Sequence, residues 1–230
     1  RAIANLFADH GAKVVAADVN TESLSSLEKE ISARGGEIFS VKTDMSVPAE
    51  VEALVDACVK KFGTVDILVN NAGVMDDFSP VGKLSDSMWD RVMKINVDGP
   101  MRAMRAVLKI MTEKNSGAIV NVASIGGLNG ARAGAAYTTS KHALIGLTKN
   151  TGYMYSKTGI RCNAIAPGFV ETDMTQYLKE GEGAEKYKAG IPLGRFASAN
   201  DIAQTALFLA SDMGSYITGQ TISVCGGLCI

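Results

Sequence analysis

The sequence predicts an α/β fold in which a single domain, residues 1–230, is built on a doubly wound parallel sheet. Short apolar, β-branched runs alternate with longer segments of helical period, as in consecutive βα units. Several of the runs lack alternation between apolar and polar residues, which is typical of strands covered by helices on both faces. Together the two patterns indicate a sheet of the Rossmann type.

Six runs are predicted as strands and six longer segments as helices. The strands are expected at residues 12–18, 37–44, 66–70, 117–124, 160–166 and 221–224. The helices are expected at residues 2–10, 21–34, 49–62, 85 to about 114, 135 to about 157, and 199–211. Glycines at positions 11, 35 and 63 mark the ends of the first three helices.

The first strand expected of such a sheet is absent from these runs, because the sequence opens in helical residues at Arg1. We expect a strand and a glycine-rich turn ahead of Arg1, roughly 18 to 20 residues in all. Without that strand, the strands around Val15 and Leu68 have no shared neighbour. The turn would hold a pyrophosphate at the N-terminus of the helix that starts at Arg1.

Composition argues against several classes of protein. The 23 basic and 24 acidic residues give a net charge of −1, without the basic excess that nucleic-acid binding requires. No apolar run approaches the ~18 residues of a membrane span. Four cysteines without a regular framework indicate reduced thiols in a cytoplasmic protein. Cys225 and Cys229 are separated by three residues and have no further Cys or His cluster nearby, so no metal site is expected.

Tyr137 and Lys141, four residues apart, form the strongest candidate for a catalytic pair. On a helix this spacing puts both side chains on one face, one turn apart. An ammonium within ~4 to 6 Å typically lowers an acid's pKa by about 1 to 3 units, which favours a phenolate for acid/base chemistry. Ser124, thirteen residues before Tyr137, ends a predicted strand at the sheet edge where open α/β sheets bind ligands.

The same spacing recurs at Tyr153 and Lys157, and Ser140 lies thirteen residues before Tyr153. Spacing alone therefore does not identify a site. Context separates the two sets, because Ser140 lies within helical sequence rather than at a strand end. Sixteen residues of helix also rotate Tyr153 by roughly 160° from Tyr137. We predict that the first set is catalytic and the second structural.

Asp18 closes the first predicted strand, a position from which a carboxylate can bind the ribose of adenosine. The cofactor predicted is NAD rather than NADP, because a carboxylate repels a 2′-phosphate and no Lys or Arg follows until Lys29. The alternative interpretation is an ordinary strand-terminal aspartate in a turn.

Two further segments are candidates for the site. The sequence NNAG, residues 70–73, follows a predicted strand, and its small residues let the backbone approach a ligand closely. Asn96 interrupts the long helix near Gly99 and Pro100, where helical hydrogen bonding should loosen and a water could be held. Taken alone, the first segment is a turn and the second a kink.

A serine hydrolase and a P-loop nucleotide hydrolase are disfavoured. Val122 stands where the nucleophile elbow G-x-S-x-G needs a glycine before Ser124. His10 and His142 fit structural positions on helices. No P-loop sequence occurs in the chain.

These elements together resemble the short-chain dehydrogenase/reductase family from Arg1 to about Gly227. The motifs are NNAG at 70–73, NVDG at 96–99, Ser124, YTTSK at 137–141 and PGFVETDM at 167–174. The resemblance implies that Tyr137 is the acid/base, Lys141 lowers its pKa and holds a ribose, Ser124 orients the carbonyl, and Asn96 anchors a proton-relay water. It places Asp18, Asp44 and Met45 near adenosine, Asn71, Ala72 and Gly73 along the ribose, and Pro167, Gly168, Val170 and Thr172 around the nicotinamide.

The family pattern implies an oxidoreductase that moves a hydride between NAD(H) and an alcohol or ketone, in a homo-tetramer. PGFVETDM and IPLGRF are similar to segments of 3-oxoacyl-acyl carrier protein reductases, so a 3-oxoacyl or similar small ketone is expected. Dehydrogenases of sugars, diols or steroids, and a catalytically silent nucleotide-sensing protein, are the alternatives. The charged stretch KEGEGAEK, residues 179–186, is a candidate lid. Cys225 departs from the acidic or polar residue that the family commonly has before Gly226-Gly227.

Overall fold

A computed structural model describes residues 1–172, 175 and 182–229, with the side chains of residues 182–184 left out of the description. Its helices and strands alternate along the chain. In order they are α1 (Ala2–Asp9), β1 (Val14–Asp18), α2 (Thr21–Ser32), β2 (Ile38–Lys42), α3 (Pro48–Phe62), β3 (Ile67–Asn70), α4 (Asp86–Met93), α5 (Gly99–Lys114), β4 (Gly117–Val122), α6 (Ala135–Met154), β5 (Ile160–Pro167), α7 (Glu182–Ala189), α8 (Ala199–Ala210) and β6 (Thr221–Val224).

All strand pairings between these elements are parallel, and they form two sheets. β1 pairs with β2 in one sheet, and the other has the order β3-β4-β5-β6. The strands around Val15 and Leu68 therefore lie in different sheets, as expected if they lack a shared neighbour. Because the strands of the larger sheet are parallel, their carboxyl ends, including Asn70, Val122 and Pro167, lie along one edge.

Helices cover both faces of the four-stranded sheet. On one face, Met111 of α5 packs in one cluster with Ile119 of β4. On the other, Leu209 of α8 packs in a second cluster with Val120 of β4. Burying each such side chain stabilises the folded protein by about 1.5 to 3 kcal/mol relative to leaving it exposed. The absence of alternation in this strand sequence is thus explained by burial on both faces.

The structure confirms the predicted helix ends and shortens several elements. Gly11, Gly35 and Gly63 have φ of +83°, +80° and +81°, a left-handed conformation that glycine adopts without steric cost. The segment predicted as one helix from 85 to 114 contains a π-helical turn, Lys94–Asp98, between α4 and α5. Strand β4 ends at Val122 rather than 124, because the chain turns there into a short 3₁₀ segment.

Within the described part of the chain, no helix combines the length and apolar character needed to cross a bilayer. The four cysteines, Cys58, Cys162, Cys225 and Cys229, are all free thiols. Among the described residues, no group of three or more His, Cys, Asp or Glu side chains could hold a metal ion.

Candidate active site

Ser124 lies two residues beyond the end of β4, where it caps the 3₁₀ segment Ile125–Gly127. Its Oγ accepts a hydrogen bond of 3.0 Å from the N–H of Gly126. A Cβ built on Gly126 would lie 3.4 Å from Ser124 Oγ and 3.6 Å from Cε1 of Tyr137. The serine hydroxyl and the tyrosine ring therefore border the same point in space, as the sequence predicts.

Tyr137 and Lys141 lie in the first two turns of α6 and are buried, with exposures of 9% and 4%. Lys141 Nζ lies 5.6 Å from the centroid of the Tyr137 ring, within the range of a cation–π interaction. It donates a hydrogen bond of 2.9 Å to the carbonyl of Val122 at the end of β4. Burial lowers the pKa of Lys141 to about 8, so the side chain is still mostly an ammonium at pH 7.

Asn96 lies in the π-helical turn, where the predicted loosening of the helix is observed. Its side chain is fully buried and pairs with the backbone of Val74, accepting from N–H at 2.8 Å and donating to C=O at 2.9 Å. It also donates to Ser140 Oγ at 3.1 Å. A Cβ on Gly73 would lie 3.3 Å from both Asn96 Oδ1 and Lys141 Nζ. Asn96 thus joins the NNAG segment to helix α6.

The second tyrosine and lysine do not form a comparable site. Tyr153 is 80% exposed, and Lys157 lies beyond the end of α6 in a 3₁₀ turn. Ser140, their apparent counterpart of Ser124, is buried inside α6 and donates to the carbonyl of Tyr137 at 2.7 Å. The structure therefore supports the structural interpretation of this set.

Asp18 is exposed at the end of β1, and one carboxylate oxygen accepts from the N–H of Asn20 at 2.9 Å. It thus makes the turn contact of the alternative interpretation, and its exposed position at the carboxyl end of β1 also allows the ribose contact. Lys42 pairs with Asp18 in the register of β1 and β2. No Lys or Arg follows Asp18 in the sequence until Lys29, but the parallel register brings Lys42 of the neighbouring strand beside it.

Asp44 and Met45 follow the end of β2. Asp44 accepts from the N–H and hydroxyl of Ser46 at 2.8 and 2.7 Å, and these hydrogen bonds lower the pKa of Asp44. Met45 lies against α5, since a Cβ on Gly99 would lie 2.6 Å from the Met45 carbonyl oxygen. Both residues are half-buried at the same sheet edge as Asp18.

Pro167 ends β5, and the N–H of Gly168 donates to the carbonyl of Val224 at 3.0 Å. Val170 forms an isolated parallel bridge with Ala197, and the N–H of Thr172 donates to Thr175 Oγ1 at 3.1 Å. Asp173 and Met174 of PGFVETDM lie outside the described residues. So do residues 179–181 of the candidate lid, whose remaining residues belong to α7.

Asp76, which no sequence motif singles out, is a buried carboxylate between the NNAG segment and α4 that accepts from the N–H of Tyr137 at 2.8 Å. An acidic pair, Asp76 and Asp77, after an apolar strand and NNAG was visible in the sequence, but nothing there shows which member is buried. His10 and His142 each bond to a carbonyl of their own helix, which supports the argument against a hydrolase.

The parallel sheet, the Ser124 and Tyr137 side chains that border one point, and the neighbouring Lys141 define a nucleotide-binding α/β oxidoreductase. The family model described as "Enoyl-(Acyl carrier protein) reductase" matches residues 1–229. The chain belongs to the short-chain dehydrogenase/reductase family, whose members use a nicotinamide cofactor.

The chain is similar to a dehydrogenase, to a reductase and to a ketoreductase of known structure. The chain is 40% identical to 3beta-hydroxysteroid dehydrogenase 2 of Eggerthella lenta, over 99% of this chain and 89% of that protein. It is 40% identical to a 3-oxoacyl-[acyl-carrier-protein] reductase of Thermotoga maritima, over 98% and 91%. An actinorhodin polyketide ketoreductase variant crystallised with NADPH is 34% identical, covers 99% and 91%, and superposes with a TM-score of 0.93.

Proposed function

We propose that the chain reduces a small ketone, a 3-oxoacyl compound or similar, with hydride from NADH, and oxidises the corresponding alcohol in the reverse direction. The observation that carries this proposal is the pair of buried side chains, Tyr137 and Lys141, beside Ser124 at the carboxyl edge of the sheet. The names of two relatives, a 3-oxoacyl reductase and a hydroxysteroid dehydrogenase, support a ketone or alcohol substrate.

The described residues fit a nicotinamide dinucleotide. Asp18 offers an exposed carboxylate to the adenosine ribose, and Gly73 brings the backbone close to Lys141 without a side chain in between. Lys141 has three N–H donors, of which Val122 C=O takes one, so it suits the hydroxyls of the nicotinamide ribose. In this proposal the adenosine is bordered by Asp44 and Met45, and the ribose by Asn71 and Ala72. The residues proposed to surround the nicotinamide are Pro167, Gly168, Val170 and Thr172. When bound, NADH supplies the hydride.

Ser124 and Tyr137 hold the substrate carbonyl in this mechanism. Because Ser124 Oγ accepts from Gly126, its own proton can be donated to the carbonyl oxygen. Tyr137 donates the second hydrogen bond and then transfers its proton to that oxygen as the carbonyl carbon is reduced. Lys141 stabilises the resulting phenolate, and Asn96 anchors a water that returns the proton. Such positioned proton transfer typically accelerates a reaction by about 10² to 10⁴-fold.

The experiment that tests the proposal follows the absorbance of reduced nicotinamide with a panel of carbonyl compounds. The panel contains a 3-oxoacyl thioester, a 3-oxosteroid and a keto sugar, with an enoyl thioester as the control for carbon–carbon double-bond reduction. We expect oxidation of NADH with the 3-oxoacyl thioester and none with the enoyl thioester. Cofactor binding without turnover of any compound would instead support the silent nucleotide-sensing protein.

The cofactor is proposed to be NAD(H), because Asp18 would repel a 2′-phosphate. NADP(H) is the second candidate, favoured by Lys42 beside Asp18 and by the NADPH in the ketoreductase relative. Asp18→Asn should raise the ratio of kcat/KM for NADPH over NADH about tenfold, because it removes the repulsion. Lys42→Ala is the matched variant and should lower kcat/KM for NADPH alone. A wild-type protein that turns over NADPH as fast as NADH would refute the NAD preference.

We further propose a cytoplasmic homo-tetramer. The four free thiols support a reducing compartment, and Trp89 of α4, which is 38% exposed, offers an apolar side chain for subunit contact. Light scattering coupled to size-exclusion chromatography measures the subunit number directly.

A further inference from the structure

Asp76 is a buried carboxylate that binds three backbone N–H groups. It is 7% exposed. Its Oδ1 accepts from Phe78 at 3.1 Å and from Gly134 at 3.0 Å, and its Oδ2 accepts from Tyr137 at 2.8 Å. Two of these donors belong to the start of α6, which lies about sixty residues further along the chain. A loop beside the NNAG segment is thereby fastened to the helix that carries Tyr137 and Lys141.

The first turn of a helix has N–H groups that no helical carbonyl can accept, and they favour a nearby negative charge. The N-cap residue of α6 is Gly134, which has no side chain to accept them. Asp76 accepts from two of them, and the carbonyl of Ser79 accepts from Ala135 at 3.0 Å. The loop at residues 76–79 therefore supplies the cap that the helix itself lacks.

Gly134 provides the room for this contact. Its backbone conformation, φ −76° and ψ −179°, is open to any residue, so conformational freedom does not require glycine there. A Cβ at this position would lie 2.5 Å from Asp76 Oδ2 and 2.8 Å from Oδ1. The glycine lets the carboxylate reach the helix N-terminus at hydrogen-bond distance.

Both backbone polar groups of Tyr137 are held by buried side chains. Its N–H donates to Asp76, and its carbonyl accepts from the hydroxyl of Ser140 at 2.7 Å. Ser140 in turn accepts from Asn96, which binds the backbone of Val74, two residues before Asp76. These hydrogen bonds close a ring through Val74, Asp76, Tyr137, Ser140 and Asn96. The ring fixes the Tyr137 backbone relative to Asn96 and to the loop at residues 74–76.

We propose that Asp76 is a positioning residue for catalysis, which holds Tyr137 where its hydroxyl can transfer a proton to the carbonyl oxygen that Ser124 also binds. The proposal rests on the proposed function of Tyr137 as the acid. Because misplacement of a reacting group by about 1 Å can lower a rate by about 10²-fold, loss of this contact should appear in kcat. Cofactor affinity should change little, since Asp76 contacts the first turn of α6, whereas Lys141 lies one turn further on and is held separately by the carbonyl of Val122.

The test compares Asp76→Asn with Asp77→Asn, the same substitution one residue along the chain. An asparagine keeps the shape of Asp76 but presents an NH₂ group to at least one N–H donor and removes the charge. Asp77 is exposed, and it accepts from the N–H of Ser79 at 3.1 Å and from the Ser79 hydroxyl, both within its own loop. We expect kcat to fall about 10- to 100-fold in Asp76→Asn, with KM and the Kd for NADH within threefold of wild type. Asp77→Asn should match wild type in all three.

Amide hydrogen exchange gives a second measurement that does not depend on turnover. The amides of Gly134 and Tyr137 should exchange faster in Asp76→Asn and at the wild-type rate in Asp77→Asn. If Asp76→Asn does not fold, Gly134→Ala displaces the carboxylate from the helix side and should produce the same fall in kcat.

Unchanged kcat in Asp76→Asn, equal losses in the two asparagine variants, or parallel losses in kcat and cofactor affinity would each overturn the proposal. A wild-type protein that turned over no ketone would refute the proposed function instead. In that case the exchange rates of Gly134 and Tyr137 decide whether Asp76 positions the helix.

Discussion

The two ends of helix α6 carry the same arrangement of a tyrosine and a lysine four residues apart, yet their surroundings differ. Tyr137 is 9% exposed and Lys141 is 4% exposed, and the Tyr137 ring borders Ser124 at the sheet edge. Tyr153, by contrast, is 80% exposed, and Lys157 has left the helix. Because the spacing is identical in the two pairs, any difference in their reactivity must come from the elements that surround them.

At the N-terminal end of α6, the main difference is the burial of Tyr137 and Lys141. In the interior the ammonium of Lys141 loses hydration, which lowers its pKa to about 8 and strengthens its field on the neighbouring ring. At the second end, water screens any interaction between exposed groups. The difference also extends to the serines, because Ser124 faces the sheet edge while Ser140 bonds within its own helix.

The largest expected effect is the loss of the Tyr137 hydroxyl. Tyr137→Phe should lower kcat by about 10² to 10⁴-fold, because the proton donor is removed while the ring still fills its site. The Kd for NADH should change little. Tyr153→Phe is the control at the exposed end of the helix and should leave kcat unchanged. Steady-state kinetics with the 3-oxoacyl thioester would contradict the assignment if Tyr137→Phe kept the wild-type rate.

A second prediction concerns the pH dependence of stability. The pKa of Lys141 is about 8 in the folded protein and near 10.5 in the unfolded chain. Between these values the unfolded chain binds a proton that the folded protein has lost, so the free energy of unfolding rises with pH. Below pH 8 both states are charged, and the folded protein bears the cost of a buried ammonium. Between pH 7 and pH 10.5 the free energy of unfolding of the wild type should therefore rise by up to about 3 kcal/mol relative to that of Lys141→Met.

Urea unfolding of the cofactor-free proteins at several pH values measures this difference. Lys157→Met is the exposed control and should stay within about 0.5 kcal/mol of wild type at pH 7. Parallel stability curves for wild type and Lys141→Met would show that Lys141 titrates alike in the folded and unfolded states. That result would remove desolvation as the feature that distinguishes Lys141 from Lys157.

Sequence patterns predicted most of the fold because the features that define strands and helix ends depend on residues close together in the sequence. Strand residues such as Ile119 and Val120 are apolar in succession where helices cover both faces, and Gly63 stops α3 where a left-handed φ is required. The proximity of Ser124 to Tyr137 and of Tyr137 to Lys141 was predictable because a strand end and one helix face can be recognised in the sequence. The environments of these residues in the structure agree with that interpretation.

The contacts between distant segments were not predictable in this way. Lys42 lies beside Asp18 because of the register between β1 and β2, which no spacing in the sequence specifies. Asp76 reaches α6 across about sixty residues, and only the fold determines that it is buried while Asp77 is exposed. The lowered pKa of Lys141 likewise depends on burial rather than on the tyrosine four residues before it.

The two serines provide the third and smallest expected effect. Ser124→Ala should lower kcat by about 10²-fold, as typically follows the loss of one hydrogen-bond donor to a reacting oxygen. Its free energy of unfolding should change by less than about 1 kcal/mol, since Ser124 is half-buried and accepts one bond, from Gly126.

Ser140→Ala should show the opposite pattern. Ser140 is fully buried, and its hydroxyl bonds to both Tyr137 C=O and Asn96, so its loss leaves Asn96 Nδ2 with one fewer acceptor. We expect the free energy of unfolding to fall by about 1 to 2 kcal/mol. Because Asp76 still accepts from the N–H of Tyr137, kcat should stay within about threefold of wild type where the variant is folded. Chemical denaturation and kinetics on both variants separate the two roles. A larger kcat loss in Ser140→Ala than in Ser124→Ala would mean that the serine on the helix, rather than the serine after the strand, serves the reaction.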